Sequence, residues 1–206
     1  YIKGKEIIAN GYGIYISRVD DETNRATYFV SGKQKTLDFP VDYSVVGGAD
    51  NDNCHSSSIV MNSGKVKIIQ GGSDGDGNVG EANIVINGGT ISAICGGGYP
   101  ELTETGKANH TGKVNIIINN TDNEVSVFGG GYSYASVGQT EIVINGGTTS
   151  YLTSGGSNGS TANGNIIIHG GEHGVVQSVN RGLVGSADIT VDGGTIRALY
   201  AGVEPD

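Results

Sequence analysis

The chain has 206 residues, with 37 glycines and only 3 prolines, and its 12 Lys and Arg against 21 Asp and Glu give a formal net charge of −9. Nucleic acids and anionic membrane surfaces require a clustered positive field, so this scattered basic charge argues against both as partners. No apolar run approaches the roughly 20 residues of a spanning helix, and the sequence therefore predicts no membrane span.

Residues 1–38 lack the repeat that fills the rest of the chain. Their alternating apolar pattern predicts two or three strands with hairpin character, joined at Asn10-Gly11 and at the polar turn from Asp20 to Arg25. Asn-Gly and charged polar clusters are typical turn signals. We therefore expect a short β-meander at the start of the chain.

Residues 39–206 repeat one frame: a first strand, a glycine corner, a second strand, a second glycine corner and a return loop of variable length. Phe39 to Gly48 is similar to the second half of a repeat and makes a partial opening coil. The residues that close the first strand of the six fuller repeats are Asn62, Asn87, Asn119, Asn145, His169 and Asp192, at steps of 25, 32, 26, 24 and 23. Self-similarity at this period predicts a solenoid of about seven coils.

The first strand of each repeat carries three consecutive β-branched or apolar residues, such as Ile84-Val85-Ile86. Side chains alternate along a strand, so the outer two of each triple should fill the core and the middle one should face outward. Stacked repeats should also join the corner asparagines into an amide ladder. We expect these asparagines and the glycine after each to take the left-handed conformation.

The repeated first strand, the NGG corner and the GGGY corner resemble the right-handed parallel β-helix domains of the pectate-lyase-like superfamily. They are more similar still to the Gly-rich NGGT-type repeats of large surface proteins of Gram-positive bacteria. The resemblance covers about Phe39 to Gly202. It implies an all-β, right-handed parallel β-helix over residues 39–206 and an extracellular, secreted or cell-surface location. Residues 1–38 would form an N-terminal β cap over the open edge of the first coil.

Two acidic loops in consecutive coils are candidate cation ligands. Asp50 and Asp52 lie in the first loop, and Asp74, Asp76 and Asn78 lie in the second. Calcium takes six to eight oxygen ligands, and alternating carboxylates on two stacked loops could supply them. Solvated turn residues are the alternative, because Asp, Asn and Gly are ordinary turn formers.

A tyrosine platform is the second candidate site. Tyr99 and Tyr132 both follow GGG corners in consecutive coils, and Tyr134 lies two residues further on. Flat aromatic faces with hydroxyl tips suit sugar rings, and we add Glu101 and His110 as polar contacts. The alternative is that each tyrosine only shields the glycine corner beside it.

The sequence contains no convincing catalytic set. His169 and His173 form the densest titratable group, but two histidines on an irregular corner with one carboxylate between them make a poor zinc site. Cys54 and Cys95 occupy non-equivalent positions of the repeat, and their pairing stays open. A start at Tyr1 without Met leads us to expect a fragment of a larger protein.

The function we predict is a non-catalytic module, a glycan-binding or adhesion element of a larger bacterial surface protein. Its partners would be a polysaccharide or a glycoprotein glycan and the flanking domains of the same chain. One alternative is a polysaccharide lyase with calcium at the loop of Asp74 and Asp76, or another β-helix carbohydrate-active enzyme. The other is a purely structural stalk, since many unrelated functions share this fold.

Overall fold

The computed structural model describes residues 1–98, 109–132, 135–179 and 182–202, which form eighteen β-strands in two nine-stranded sheets. The fold is an all-β solenoid of about six turns built from stacked parallel strands. Within the described residues, no helix has the length and apolar character to cross a membrane. The handedness inferred from the resemblance stays a prediction.

The first five strands lie at one end of the stack. They are β1 (Ile2–Lys3), β2 (Glu6–Ile8), β3 (Gly13–Arg18), β4 (Thr23–Val30) and β5 (Lys33–Pro40). β3, β4 and β5 form an antiparallel meander, and the turn predicted near Asp20 joins the first two of these strands. That the meander works as a cap stays a prediction.

The remaining strands alternate between the two sheets, and each pairs in parallel with its equivalent one turn away. The short-strand sheet contains β6 (Ser44–Val46), β8 (Lys65–Gln70), β10 (Thr90–Cys95), β12 (Glu124–Phe128), β14 (Thr148–Thr153), β16 (Glu172–Gln177) and β18 (Thr195–Tyr200). The long-strand sheet contains β7 (Cys54–Met61), β9 (Val79–Ile86), β11 (His110–Ile118), β13 (Ser136–Ile144), β15 (Ser160–Ile168) and β17 (Leu183–Val191).

The meander was expected to include a hairpin turn at Asn10-Gly11, and this expectation is wrong. Asn10 and Gly11 do take the left-handed conformation, with φ of 56° and 77°. They connect β2 to β3, however, and these strands belong to different sheets. β2 pairs in parallel with β6 and β3 pairs in parallel with β7. The turn is therefore a corner between the two sheets, and part of residues 1–38 continues the parallel stack.

The core lies between the two sheets, and five of the six apolar triples fill it as predicted. The sixth triple does not, because β17 is the edge strand of its sheet: Ile189 is only half-buried and Val191 is 42% exposed. The outer residues of the triples in β7, β9, β11, β13 and β15 are at most 1% exposed, whereas the middle residues are half-buried on the outer face. Each fully buried isoleucine contributes roughly 2 kcal/mol of hydrophobic free energy. The columns are in register along the stack, as in the row Ile84, Ile116 and Ile142.

The amide ladder is confirmed at the first corner, and we call this side of the solenoid the corner edge (residues 62–64, 87–89, 119–123, 145–147, 169–171 and 192–194). Nδ2 of Asn87, Asn119 and Asn145 each donates to Oδ1 of the preceding asparagine, beginning at Asn62, over 2.8, 2.7 and 2.7 Å. His169 and Asp192 end the column with a contact of 2.7 Å between Nδ1 and Oδ1.

The backbone of these corners corrects one expectation. The asparagines were expected to take the left-handed conformation, yet after Asn62, Asn87 and Asn145 it is the glycine two positions later that takes it. Gly64 and Gly89 have φ of 104° and 106°. The asparagines keep an ordinary backbone because their side chains must extend along the stack to reach one another, and glycine pays no steric penalty at positive φ.

Candidate functional site

The loops that lead from each short strand into the next long strand carry most of the predicted site residues. We call this side the loop edge, and its described segments are residues 47–53, 71–78, 96–98 with 109, 129–132 with 135, 154–159 and 178–179 with 182. The first four loops begin at a glycine whose amide donates to the neighbouring turn, as Gly71 does to Cys95 over 2.9 Å and Gly96 to Phe128 over 2.8 Å. A Cβ on Gly96 would overlap the carbonyl oxygen of Gly129, so only glycine fits this spacing.

Two of the predicted cation ligands are brought together by a lysine. Nζ of Lys3 lies 2.7 Å from Oδ1 of Asp50 and 3.2 Å from Oδ2 of Asp74. The hydrogen bond to Asp50 raises the pKa of Lys3 above its ordinary value, and the contact with Asp74 adds to this. Asp74 is only 5% exposed. The lysine therefore supplies the positive charge that the two carboxylates were expected to receive from calcium.

The other predicted ligands lie in the same two loops. Asp52 is exposed and Asp76 is half-buried, with the amide of Asp76 donating to Oδ1 of Asn51 over 3.4 Å. Asn78 is exposed and its amide donates to Oδ1 of Asn53 over 2.8 Å. Within the part of the chain that the structure describes, no group of three or more His, Cys, Asp or Glu side chains could hold a metal ion. A calcium site at these loops stays a prediction.

A row of polar side chains crosses four consecutive turns at the loop edge. We call it the polar row, and its members are Asn53, Asn78, His110 and Ser136. The amide of His110 donates to Oδ1 of Asn78 over 2.8 Å, and Nδ1 of His110 lies 2.8 Å from Oγ of Ser136. The structure thus joins one predicted glycan contact, His110, to one predicted cation ligand, Asn78.

Of the three tyrosines predicted to form the platform, the structure describes only Tyr132. This residue is half-buried, its amide donates to the carbonyl oxygen of Gly98 over 3.0 Å, and its carbonyl oxygen accepts from Ala135 over 3.2 Å. Tyr99, Glu101 and Tyr134 lie outside the described residues. The platform therefore stays a prediction, with one member placed on the same edge as the polar row.

A buried asparagine that sequence reasoning missed holds two of these loops together. Asn109 is 1% exposed, and its Nδ2 donates to the carbonyl oxygens of Ser73 and Gly75, each over 2.9 Å. It lies directly before His110, so it fixes the start of the strand that carries this histidine. The residue type alone gave no signal, because a surface loop asparagine looks the same in the sequence.

Sequence reasoning also missed two exposed aromatic residues on the outer face of the long-strand sheet. Tyr15 of β3 is 47% exposed and Phe29 of β4 is 50% exposed. The alternation of apolar and polar residues in these strands could have indicated them. Tyr15 pairs with Val60 in the next strand, so it continues the half-buried middle column of the triples.

His169 of the corner edge and His173 of β16 do not form a site together. His173 is 4% exposed, with Nε2 2.9 Å from the carbonyl oxygen of Gly170 and Nδ1 3.0 Å from Oγ1 of Thr149. His169 is exposed and contacts Asp192 instead. Both rings therefore have structural partners.

Neither cysteine forms a disulfide or has the properties of a reactive thiol. Cys54 and Cys95 are both free thiols. Burial raises the pKa of Cys95 to about 12, and burial also raises the pKa of Cys54. Because the thiolate is the reactive form, these raised values disfavour a nucleophilic role for either residue.

A comparison of the chain with models of protein families, with curated proteins and with solved structures finds no match in any of the three.

Proposed function

We propose that this chain is a non-catalytic glycan-binding or adhesion module of a larger bacterial surface protein, and that its loop edge contacts the glycan. The main support is the polar row, because it presents side chains from four consecutive turns on a rigid frame. Loops on a rigid scaffold are the usual place for binding residues. The extracellular location rests on the resemblance of the repeats.

The hydrogen bonds of the row leave groups suited to sugar hydroxyls. Oδ1 of Asn53 and Oδ1 of Asn78 accept backbone amides of the row. Nδ2 of Asn53, Nδ2 of Asn78 and Nε2 of His110 have no partner among the described residues, and all three residues are exposed. An amide nitrogen donates two hydrogen bonds and an imidazole nitrogen donates or accepts one. A sugar chain lying along the stack could meet such a group at each turn.

The structural stalk is the second candidate, and the corner edge supports it. The amide ladder and the continuous apolar core give neighbouring turns the same contacts along the stack. Repeat proteins of this kind gain their stability from contacts between neighbouring turns. Such a stalk would act through its length and through the flanking domains that it separates.

The experiment is a glycan-array screen of the chain, with and without calcium. Two variants test the site: Asn78→Ala with His110→Ala in the polar row, and Tyr99→Ala with Tyr132→Ala in the tyrosine platform. His169→Ala on the corner edge is the matched control, since it also removes an exposed histidine. Circular dichroism confirms that each variant is folded.

A specific glycan that is retained by His169→Ala and lost by the Asn78→Ala, His110→Ala variant is the expected result. A hit that survives both double variants would place binding elsewhere and contradict the proposal. A blank array in both calcium conditions would favour the stalk. Turnover of a uronate polymer that depends on calcium would instead support the polysaccharide lyase.

A further inference from the structure

A cavity of about 140 Å³ opens between the two sheets at the N-terminal end of the solenoid. Ile7 and Ala9 line it from the side of the short-strand sheet, and Ile14, Ala26, Tyr28 and Leu37 line it from the meander. Most of these side chains are apolar. None of the four polar-row residues lines the cavity.

Small side chains create this space. Ala26 of β4 pairs with Ile16 of β3 and faces inward. At the same level of the stack, the next parallel turns place methionine or isoleucine, as at Met61 and Ile86. Ala9 is also buried, at 7% exposed, on the opposite side of the cavity. Two alanines facing each other leave room that the larger side chains of the later turns would fill.

Aromatic residues surround the entrance. Tyr1 and Tyr12 line the cavity and are 59% and 45% exposed, so they stand between the cavity and solvent. Tyr28 lines it further in and is half-buried. Aromatic rings attract one another in offset-stacked or edge-to-face arrangements, with about 1 kcal/mol gained beyond the buried area. The walls therefore favour an aromatic guest over an aliphatic one.

The volume and polarity of the cavity limit what can occupy it. Water needs two to four polar partners to be stable in a cavity, and an apolar cavity of about 150 Å³ is known to take up benzene. The lining here is mostly apolar and the volume is close to that value. A single six-membered aromatic ring matches both properties.

We propose that this cavity binds one free monocyclic aromatic molecule of the size of phenol or p-cresol. The ring would lie between Ala9 and Ala26, and a polar substituent would point to the entrance at Tyr1 and Tyr12. This binding is independent of the glycan proposed for the loop edge. The chain would then carry two sites with different ligand chemistry.

The test measures the thermal midpoint of the chain with p-cresol and, separately, with 1,4-cyclohexanediol, a polar, non-aromatic six-membered ring of similar size. We expect p-cresol at about one hundred times its Kd to raise the midpoint by roughly 5 °C, and 1,4-cyclohexanediol to have no effect. Ala26→Leu should abolish the shift by filling the cavity. The matched control is Ala162→Leu, at an exposed position of β15, which should leave the shift unchanged.

Two further measurements keep the test decisive if Ala26→Leu does not fold. Ala9→Leu fills the same space from the other sheet and should also abolish the shift. NMR contacts between the ring protons of p-cresol and the methyl groups of Ile14 should appear in the original chain. A shift that survives both filled variants, an equal or larger shift with 1,4-cyclohexanediol, or no shift at all would overturn the proposal.

Discussion

The corner edge and the loop edge join neighbouring turns in different ways. At the corner edge the same side chain repeats, and Asn62, Asn87, Asn119 and Asn145 bond to one another. At the loop edge unlike groups meet, such as Lys3 with Asp50 or Asn109 with backbone carbonyls. The corner edge therefore fixes the spacing of the turns, whereas the loop edge can vary in length and chemistry without disturbing that spacing.

The largest loss of stability should come from replacing a glycine at the start of a loop-edge segment. Gly96→Ala would place a methyl group against the carbonyl oxygen of Gly129 and the side chain of Val114. The backbone of Gly129 cannot move away without disturbing the neighbouring turn, so we expect a loss of about 3 kcal/mol in the free energy of unfolding. Urea unfolding measures it. Gly13→Ala is the control, because its added carbon would lie 3.8 Å from Ser58; equal losses in both variants would contradict this account.

The second largest loss of stability should come from replacing Asn109, the buried asparagine of the loop edge. Asn109→Ala deletes two hydrogen bonds and leaves the carbonyl oxygens of Ser73 and Gly75 without their donor. Buried groups left unpaired cost about 1–3 kcal/mol each, and we expect a total loss of about 2 kcal/mol by the same unfolding measurement. Asn158→Ala changes an exposed asparagine of the loop edge and should cost almost nothing. A loss confined to the corner-edge variants would show that the loop edge contributes no stability.

Alanine substitutions in the asparagine ladder should lower the free energy of unfolding by an amount that depends on the position of the asparagine in the row. Asn119 both donates to Asn87 and accepts from Asn145, whereas Asn62 only accepts from Asn87. These exposed hydrogen bonds contribute modestly, so Asn119→Ala should cost about 1 kcal/mol and Asn62→Ala roughly half of that. The ratio of the two losses, from urea unfolding, is the measurement. Identical losses would mean that the ladder does not act as a row of separate bonds.

The smallest effect should come from the ion pairs of Lys3. Asp74 is buried, but the Lys3 side chain is 46% exposed, so solvent screens both of its pairs and they contribute about 1 kcal/mol or less. The pKa of Lys3 is raised by Asp50, so its stabilising contribution is present at neutral pH, below the unfolded value of about 10.4, and is lost as the pH rises through the folded pKa. The difference in stability between the original chain and Lys3→Met should therefore be seen at pH 7 and shrink above about pH 10.

The same variant tests the cation hypothesis. Lys3→Met leaves Asp50 and Asp74 without their ammonium partner, so calcium should raise the thermal midpoint of this variant more than that of the original chain. Lys35→Met, at an exposed position of β5, is the control. An equal response of all three proteins would show that these two carboxylates do not form a cation site.

The repeat was predictable because its physical signals are local and recur. Three apolar residues followed by an asparagine and glycines specify a strand and a corner, and stacking then determines which residues meet. The core columns and the amide ladder followed from this pattern alone. The corner at Asn10-Gly11 was misinterpreted because a hairpin and a corner between two sheets use the same turn residues.

The candidate site was less predictable because its contacts join residues that are far apart in the sequence. Lys3 reaches Asp50 and Asp74 over 47 and 71 residues, and Asn109 reaches Ser73 over 36. These contacts depend on where β1 lies and on how each loop folds, and neither has a repeating pattern. Ala26 likewise reads as an ordinary strand residue, and only its position opposite Ala9 creates a cavity.

The parallel stacking of the strands has a mechanical consequence. The hydrogen bonds between turns point along the stack, so tension applied between the two ends acts on every interface in series. The outermost turns carry the pulled ends of the chain and have a neighbour on one side only, so they should detach first. Each turn contains 23 to 32 residues, and a fully extended chain spans about 3.4 Å per residue. Rupture of one turn would therefore release roughly 80 to 110 Å of contour length, and the solenoid would lengthen under load in steps while its remaining turns stay intact.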